Sequence, residues 1–477
     1  MKSKHIYFAV GLSLLSLSSV LFYSCGSKTL ANGTLLATEV PGNLKFNNFP
    51  ADDPHSHLSG SRIIAFIPGS KRPSRVLTED FYSACFPSVS YDGAFILFAG
   101  QREKDGPWQI WEMELENLKS REISSGVENC TDPAYLPDER LVFSKKIQND
   151  NVKTALCLFT CKRDGSDLRQ ITFGPATNIS TTVLRDGRLL TITRQLLPGA
   201  GDAMISVMRP DGTKADVFYM GERGTLPLGR VTETTEGKII FTETDNSGLP
   251  GGSVVAINYN RPLHTRVNLT SGTSGRFYFA LPLGKNIYLA SWRNSDTDNF
   301  ALYSFDESKK SLGEILLSDP GFNIIDVVPA GKHERQRRLP SEVDMEVKTG
   351  LLLCQNINFI NPLTPVSGNE IHEATKIEVM GIDTTYGVIP VENDGSFYLK
   401  VMADTPFRIR ILDKNDNMVN QPCSWLWLRP NERRGCVGCH DDPELVPFNE
   451  VPIAVKKAPV IVPVHITEIK EKIVELE

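Results

Sequence analysis

The stretch Pro87-Ser88-Val89-Ser90-Tyr91-Asp92-Gly93-Ala94-Phe95-Ile96-Leu97-Phe98 decides the fold, because the chain repeats it. An Asp-Gly turn between β-rich runs is a hairpin signal, since glycine accepts a positive φ and aspartate tolerates one. The unit returns as Pro133-Ala134-Tyr135-Leu136-Pro137-Asp138-Glu139-Arg140-Leu141-Val142-Phe143, and again as Val183-Leu184-Arg185-Asp186-Gly187-Arg188-Leu189-Leu190. Glu236-Gly237-Lys238-Ile239-Ile240-Phe241 is a fourth copy, and Leu283-Gly284-Lys285-Asn286-Ile287-Tyr288-Leu289 a weaker fifth. A period of roughly 46–50 residues is that of propeller blades.

A further strand-like run follows each of several copies: Trp108 to Met113, Ala155 to Phe159, Ala203 to Met208 and Ala301 to Phe305. Their alternation suits half-buried strands of a four-stranded blade. Lys162-Arg163-Asp164-Gly165 and Arg209-Pro210-Asp211-Gly212 read as outer hairpin turns. These residues resemble the propeller repeat of TolB-like and WD40-like proteins, over residues 60–332. A sixth blade is expected to close through strands near Arg62 to Ile67 and Asn323 to Val328, with seven blades left open. Such a platform suits docking of a partner, although a fold alone names no activity.

The N-terminus carries an export signal. Lys2, Lys4 and His5 are a basic start, Ile6 to Tyr23 is apolar, and Ser24-Cys25-Gly26-Ser27 follows. The apolar run has the flanks of a secretory signal rather than of a spanning helix. The cysteine directly after it points to a lipoprotein signal over 1–24, with Cys25 as the acylated anchor, although Phe22 and Tyr23 are bulky for that role and a plain cleaved signal is the alternative. The expectation is an exported protein at the periplasmic or cell-surface side, held on the outer membrane through Cys25, with a tether over 25–59. Lipid chains hold stably only when more than one is attached. The net charge of -6 gives no case for nucleic acid. Nine cysteines in an oxidising compartment permit disulfides. Cys85 and Cys130 stand at similar points of successive blades, where a bridge or two separate thiols are both possible. Cys157 and Cys161 fall on one face of a strand but roughly 13 Å apart, too far to bridge.

After the propeller, His333-Glu334-Arg335-Gln336-Arg337-Arg338-Leu339-Pro340 reads as a solvated linker within 333–349. Strand-like runs then occupy 350–460, ahead of a tail over 461–477. They close on Cys436-Val437-Gly438-Cys439-His440. Two thiols three positions apart with an adjoining imidazole are what covalent c-type haem attachment requires. Each thiol adds to a vinyl group, and His440 lies beneath the iron as an axial ligand. Trp425 and Trp427 would wall the ring, and Arg429, Arg433 and Arg434 would pair with its propionates, arginine matching carboxylates through its planar fork. Plain core packing and a solvated basic stretch are the bland alternatives for these two sets. Met402, Met418, His372 and His465 are candidates for the second axial position. A rival from another class is a structural zinc site of Cys436 and Cys439 with Cys354 and Cys423, His440 replacing one thiolate.

The run from Asp394-Gly395-Ser396-Phe397, through Ala403-Asp404-Thr405-Pro406, to Arg429-Pro430-Asn431-Glu432-Arg433-Arg434-Gly435-Cys436-Val437-Gly438-Cys439-His440 resembles the middle domain of hydrazine synthase alpha subunits. That resemblance implies a small β-sandwich-like domain with one covalent haem behind a propeller. A single CxxCH, without a second copy, does not carry hydrazine synthesis with it. The expected role is a mono-haem redox or electron-transfer subunit that meets a redox partner protein. The alternatives are a zinc-stabilised scaffold and a subunit of a haem enzyme related to hydrazine synthase. No nucleophile-base set or carboxylate pair marks a catalytic centre.

Overall fold

In the computed structural model, residues 30–463 are described apart from 47–49, 51–52, 71–72, 148–154, 222–223, 246, 360–372, 421 and 439–448. Cys25, His372, Cys439, His440 and His465 lie outside the described residues. The described chain is all-β, with one 3-10 turn at Ile453–Lys456. No described helix is long and apolar enough to cross a membrane.

The repeat builds six four-stranded blades. Their inner strands are Ser83–Val89, Cys130–Tyr135, Ala176–Val183, Thr225–Glu233, Arg276–Gly284 and Phe322–Pro329, heading blades 1 to 6 in that order. Each of the five sequence copies is the turn between the first and second strands of a blade. Blades 2 and 3 also touch through one parallel pair, Leu156 with Thr177.

Blade 6 closes the ring. Its inner strand Phe322–Pro329 pairs with Leu35–Pro41, which pairs in turn with Arg62–Phe66. The propeller therefore starts at Leu35, inside the stretch expected as a tether. The all-apolar burial of Leu35, Leu36 and Ala37 explains why that stretch cannot stay in solvent.

Outer turns lock blade 2 to blade 1 and blade 3 to blade 2. Gly165 (φ 84°) and Gly212 (φ 81°) take left-handed conformations, and a Cβ on either would lie 2.4 or 2.1 Å from the carbonyl oxygen of Ile123 or Ile171 in the preceding blade. Only glycine satisfies both the torsion and the approach. Buried hydroxyls add a second lock: Ser144 Oγ donates to Asn178 O at 2.6 Å, and Thr242 Oγ1 to Tyr278 O at 3.2 Å. Cys85, Cys130, Cys157 and Cys161 are all buried free thiols. The blades need no disulfide.

The segment after blade 6 is exposed, yet it is bonded along its length. His333 N donates to Tyr91 O at 3.1 Å, Arg335 Nη1 to Pro137 O at 3.2 Å, and Arg337 N to Arg185 O at 2.9 Å. These acceptors are the inner turns of blades 1, 2 and 3, so the linker is a strap across one face of the ring. It leads to two four-stranded sheets. One is ordered Arg433–Gly438, Thr349–Asn356, Phe397–Met402, Val460–Val462; the other Thr385–Pro390, Lys376–Met380, Arg408–Leu412, Met418–Asn420. Leu352, Cys354, Phe397, Leu399 and Val401 of the first meet Ile377, Val379, Ile409 and Ile411 of the second in a single core. This is a sandwich: alternate residues of each strand point inward.

Candidate functional site

The cysteine motif enters on the edge strand Arg433–Gly438. That strand runs parallel to Thr349–Asn356, in a register that sets Cys436 beside Cys354 and Gly438 beside Asn356. Alternation turns Cys436 toward the sandwich core, against which it packs half-buried. Gly438 is required where it stands. A Cβ there would lie 2.2 Å from the carbonyl oxygen of Phe359. The strand carries the motif as far as Gly438, the last described residue before Cys439 and His440.

The preceding Trp-Leu-Trp-Leu-Arg-Pro-Asn-Glu-Arg-Arg run joins the sandwich to blade 3. Trp425 is buried, with Nε1 donating to Leu197 O at 3.0 Å. Trp427 faces Gly174, whose built Cβ would sit 3.4 Å from the indole ring. The indole Nε1 of Trp427 is shielded and has no hydrogen-bond partner among the described residues. Arg429 is 5% exposed; its Nη1 meets Asp404 Oδ1 at 2.6 Å, its Nε donates to Asp211 O at 2.9 Å, and its guanidinium lies over Phe173 at 4.8 Å. Burial raises the Asp404 carboxyl against the pull of Arg429.

Glu432, 3% exposed, is the hub. It accepts from both Nε (3.1 Å) and Nη2 (2.7 Å) of Arg434, from Arg429 N at 2.7 Å, and from Lys214 N of blade 3 at 2.8 Å. Asp211 completes the joint by accepting from Ser341 Oγ and Glu342 N of the strap at 3.0 and 2.7 Å. Burial opposes the charge of Asp211, but hydrogen bonds from Thr213, Glu342 and Ser341 hold its carboxyl below the usual range.

The structure thus brings Trp425, Trp427, Arg429 and Arg434 together at the joint with the propeller, while Arg433 is exposed. Met402 and Met418 are also exposed, 47% and 49%. Sequence reasoning missed Asp404, Glu432, Asp211 and Lys214. Glu432 stood inside the quoted motif, and its alternation with three arginines was a signal of ion pairing. The propeller partners carry no local sign, because they reach the site only through the fold.

The motifs outside the cysteine run hold the sandwich itself. Asp394 Oδ1 accepts from Ser396 N at 3.0 Å, and Oδ2 from Ile453 N at 2.7 Å, which ties the turn to the returning C-terminal segment. Gly395 takes φ 77°, with its α-carbon facing Asn356 Oδ1. Asp404 takes φ 58° to present its carboxylate to Arg429. Cys354, Cys423 and Cys436 border one core, but no three described His, Cys, Asp or Glu side chains group as a metal site. Cys436, half-buried against that core, stands on the outermost described strand of its sheet.

The family described as hydrazine synthase alpha subunit middle domain matches residues 354–441, the sandwich up to and including the cysteine motif. The hydrazine synthase subunit alpha of Kuenenia stuttgartiensis is 22% identical over 85% of this chain, and the match spans 65% of that relative's length. The solved Kuenenia stuttgartiensis hydrazine synthase superposes with a TM-score of 0.75 at 21% identity, covering 90% of this chain and 72% of the other. The propeller and sandwich arrangement is therefore that of the synthase fold. TolB from Acinetobacter baumannii aligns at TM-score 0.33 and 12% identity, over 49% of this chain and 63% of its own.

Proposed function

We propose that this chain is a haem-bearing subunit of an exported enzyme assembly related to hydrazine synthase. One observation carries the reading: the family match runs over residues 354–441 and so takes in the whole Cys436-Val437-Gly438-Cys439-His440 motif. Cys436 and Cys439 would hold the haem and His440 would ligate its iron, which supplies one-electron or ligand-binding chemistry at the sandwich edge. Of that run, the exposed Arg433 would be open to a propionate, while Trp427 stands at the joint facing Gly174. Arg429 and Arg434 instead orient the edge strand by pinning it to blade 3. The likeness to an alpha subunit supports a subunit of a related haem enzyme over the electron-transfer subunit expected from a single motif. Because the match spans 65% of the relative's length, its chemistry is not carried over whole. Anchoring through acylated Cys25 would place the assembly on a membrane surface.

Full-length protein made with a cytochrome c maturation system tests this. A haem stain that survives denaturing electrophoresis, and is lost in Cys436→Ser, is the expected result. A colourless protein that purifies with one zinc would overturn it.

A further inference from the structure

The six inner strands share an irregularity that the repeat did not announce. Pairing with the second strand slips between Cys85 and Ser88, Thr131 and Ala134, Ile179 and Thr182, Leu228 and Thr232, and Phe277 and Phe279. In blade 6 the slip falls opposite Asp326 and Ile324. Phe86, Asp132, Ser180 and Gly229 take φ of 57°, 50°, 55° and 73° at these bulges. A bulge re-aims the side chains around it. Here all six bulges lie at one level, and they turn Phe86, Asp132, Ser180, Arg230, Tyr278 and Asp326 onto a cavity of about 30 Å³ on the propeller axis. Pro54 and His57 cap one end. At the other end His333 and Gln336 of the strap lie beside Arg230.

Among the described residues, charge does not balance in this cavity. Asp132 and Asp326 are 6% and 2% exposed, and one described cation faces them: Arg230 Nη2 stands 3.4 Å from Asp326 Oδ2, while its Nη1 donates to Pro87 O at 3.0 Å. Neither oxygen of Asp326 accepts a hydrogen bond from a described residue. The other titratable groups facing the pair are Cys85, Tyr278 and His57, with His55 behind. Burial lowers His57 to about 4 and His55 to about 3, and it raises the Cys85 thiol and the Tyr278 phenol, so all four are neutral near pH 7. A buried carboxylate without a counter-charge is costly, and each is normally paired.

We propose that the propeller axis binds one water-sized monovalent cation between Asp132 and Asp326. The missing charge is one, and the volume is that of about one water molecule. Two carboxylates with neutral oxygens suit an alkali or ammonium ion. No described trio of acidic, His or Cys side chains offers a divalent metal its usual set. The ion would tie blade 2 to blade 6 across the axis, on top of the hydrogen bonds that link adjacent blades.

Thermal unfolding of the full chain in potassium or rubidium chloride, against choline chloride at equal ionic strength, tests this. Choline is too large to enter. The small ions should raise the midpoint by roughly 2–4 °C at about ten times their dissociation constant, and Asp326→Asn should lose the response. Crystals grown in rubidium should show one anomalous peak between the two carboxyl groups. Should Asp326→Asn not fold, that peak decides alone. Equal midpoints in both salts, or no rubidium on the axis, would overturn the proposal and assign the balancing charge to a shared proton.

Discussion

The propeller and the sandwich hide and reveal opposite things. In the propeller, five copies of a turn between β-rich runs made the fold legible, yet the polar groups that converge on its axis belong to no motif. In the sandwich, one motif announced the chemistry, yet the strands that carry it follow no repeat. The difference is physical. A blade must satisfy the same torsions and packing six times, so its turns recur. A site needs particular side chains once, so it shows itself only when those residues are adjacent in the chain. Cys436, Cys439 and His440 are adjacent; Asp132, Arg230 and Asp326 are brought together by ring closure.

The comparison can be broken first at the joint between the two regions. Arg429→Ala leaves Asp404 and the Asp211 carbonyl without their buried partner. Losing one member of a buried pair costs about 3–5 kcal/mol. Urea unfolding should therefore show the sandwich melting ahead of the propeller; a single unshifted transition would mean that the joint contributes nothing. Glu112→Gln should cost somewhat less, about 1.5–3 kcal/mol for lost charged hydrogen bonds, because Arg121 and Arg163 are 48% and 38% exposed and turn to water, and within the propeller. Glu112 accepts from Arg121 and Arg163 at 2.6 Å and from Tyr135 Oη at 2.9 Å, binding blade 1 to blade 2. Here the propeller should become the weaker region.

A pH series sharpens the contrast. Burial raises the Asp132 carboxyl from 3.8 to about 6. The folded state then holds a proton that the unfolded state has lost, so this group's contribution is full below pH 4 and disappears as the pH rises through about 6. The difference corresponds to about 3 kcal/mol. In choline chloride, where no small cation enters the axis, Asp132→Asn should gain about that much relative to the parent between pH 4 and pH 7, read from denaturant midpoints. His55 and His57 act with the opposite sign, because the unfolded state takes up protons below about 6.5 that the buried rings refuse. The parent therefore loses stability in acid through the histidines while the aspartate partly offsets it, and a pH-independent difference between parent and variant would contradict this assignment.

The smallest effect lies at the strap. Gly187 takes φ 91°, and a Cβ there would meet Arg337 O at 2.0 Å. Gly187→Ala should cost about 1 kcal/mol or a little more, with faster amide exchange at Arg337. Because the strap is exposed, it can move aside without dragging the blade core with it.

The residues show why reading the sequence stopped where it did. Asp92-Gly93 and Asp186-Gly187 gave the blades because the turn chemistry is local. The strand Leu35–Pro41 escaped, because closing a ring pairs it with residues nearly three hundred positions away. Trp425 and Arg429 read as walls for a haem, since tryptophan and arginine suit that task. In the fold they bond Leu197 and Asp211 of the propeller, partners that no spacing could reveal. Gly438, by contrast, was already fixed inside the cysteine motif, and Phe359 supplies the steric reason.

The most direct test of the account is peptide mapping by mass spectrometry of the full chain matured with the c-type haem system. One haem bound through both thioethers to the peptide holding Cys436 and Cys439, with Cys354 and Cys423 unmodified, is the predicted result. An unmodified Cys436, with the protein folded and the maturation system active on a control cytochrome, would contradict it.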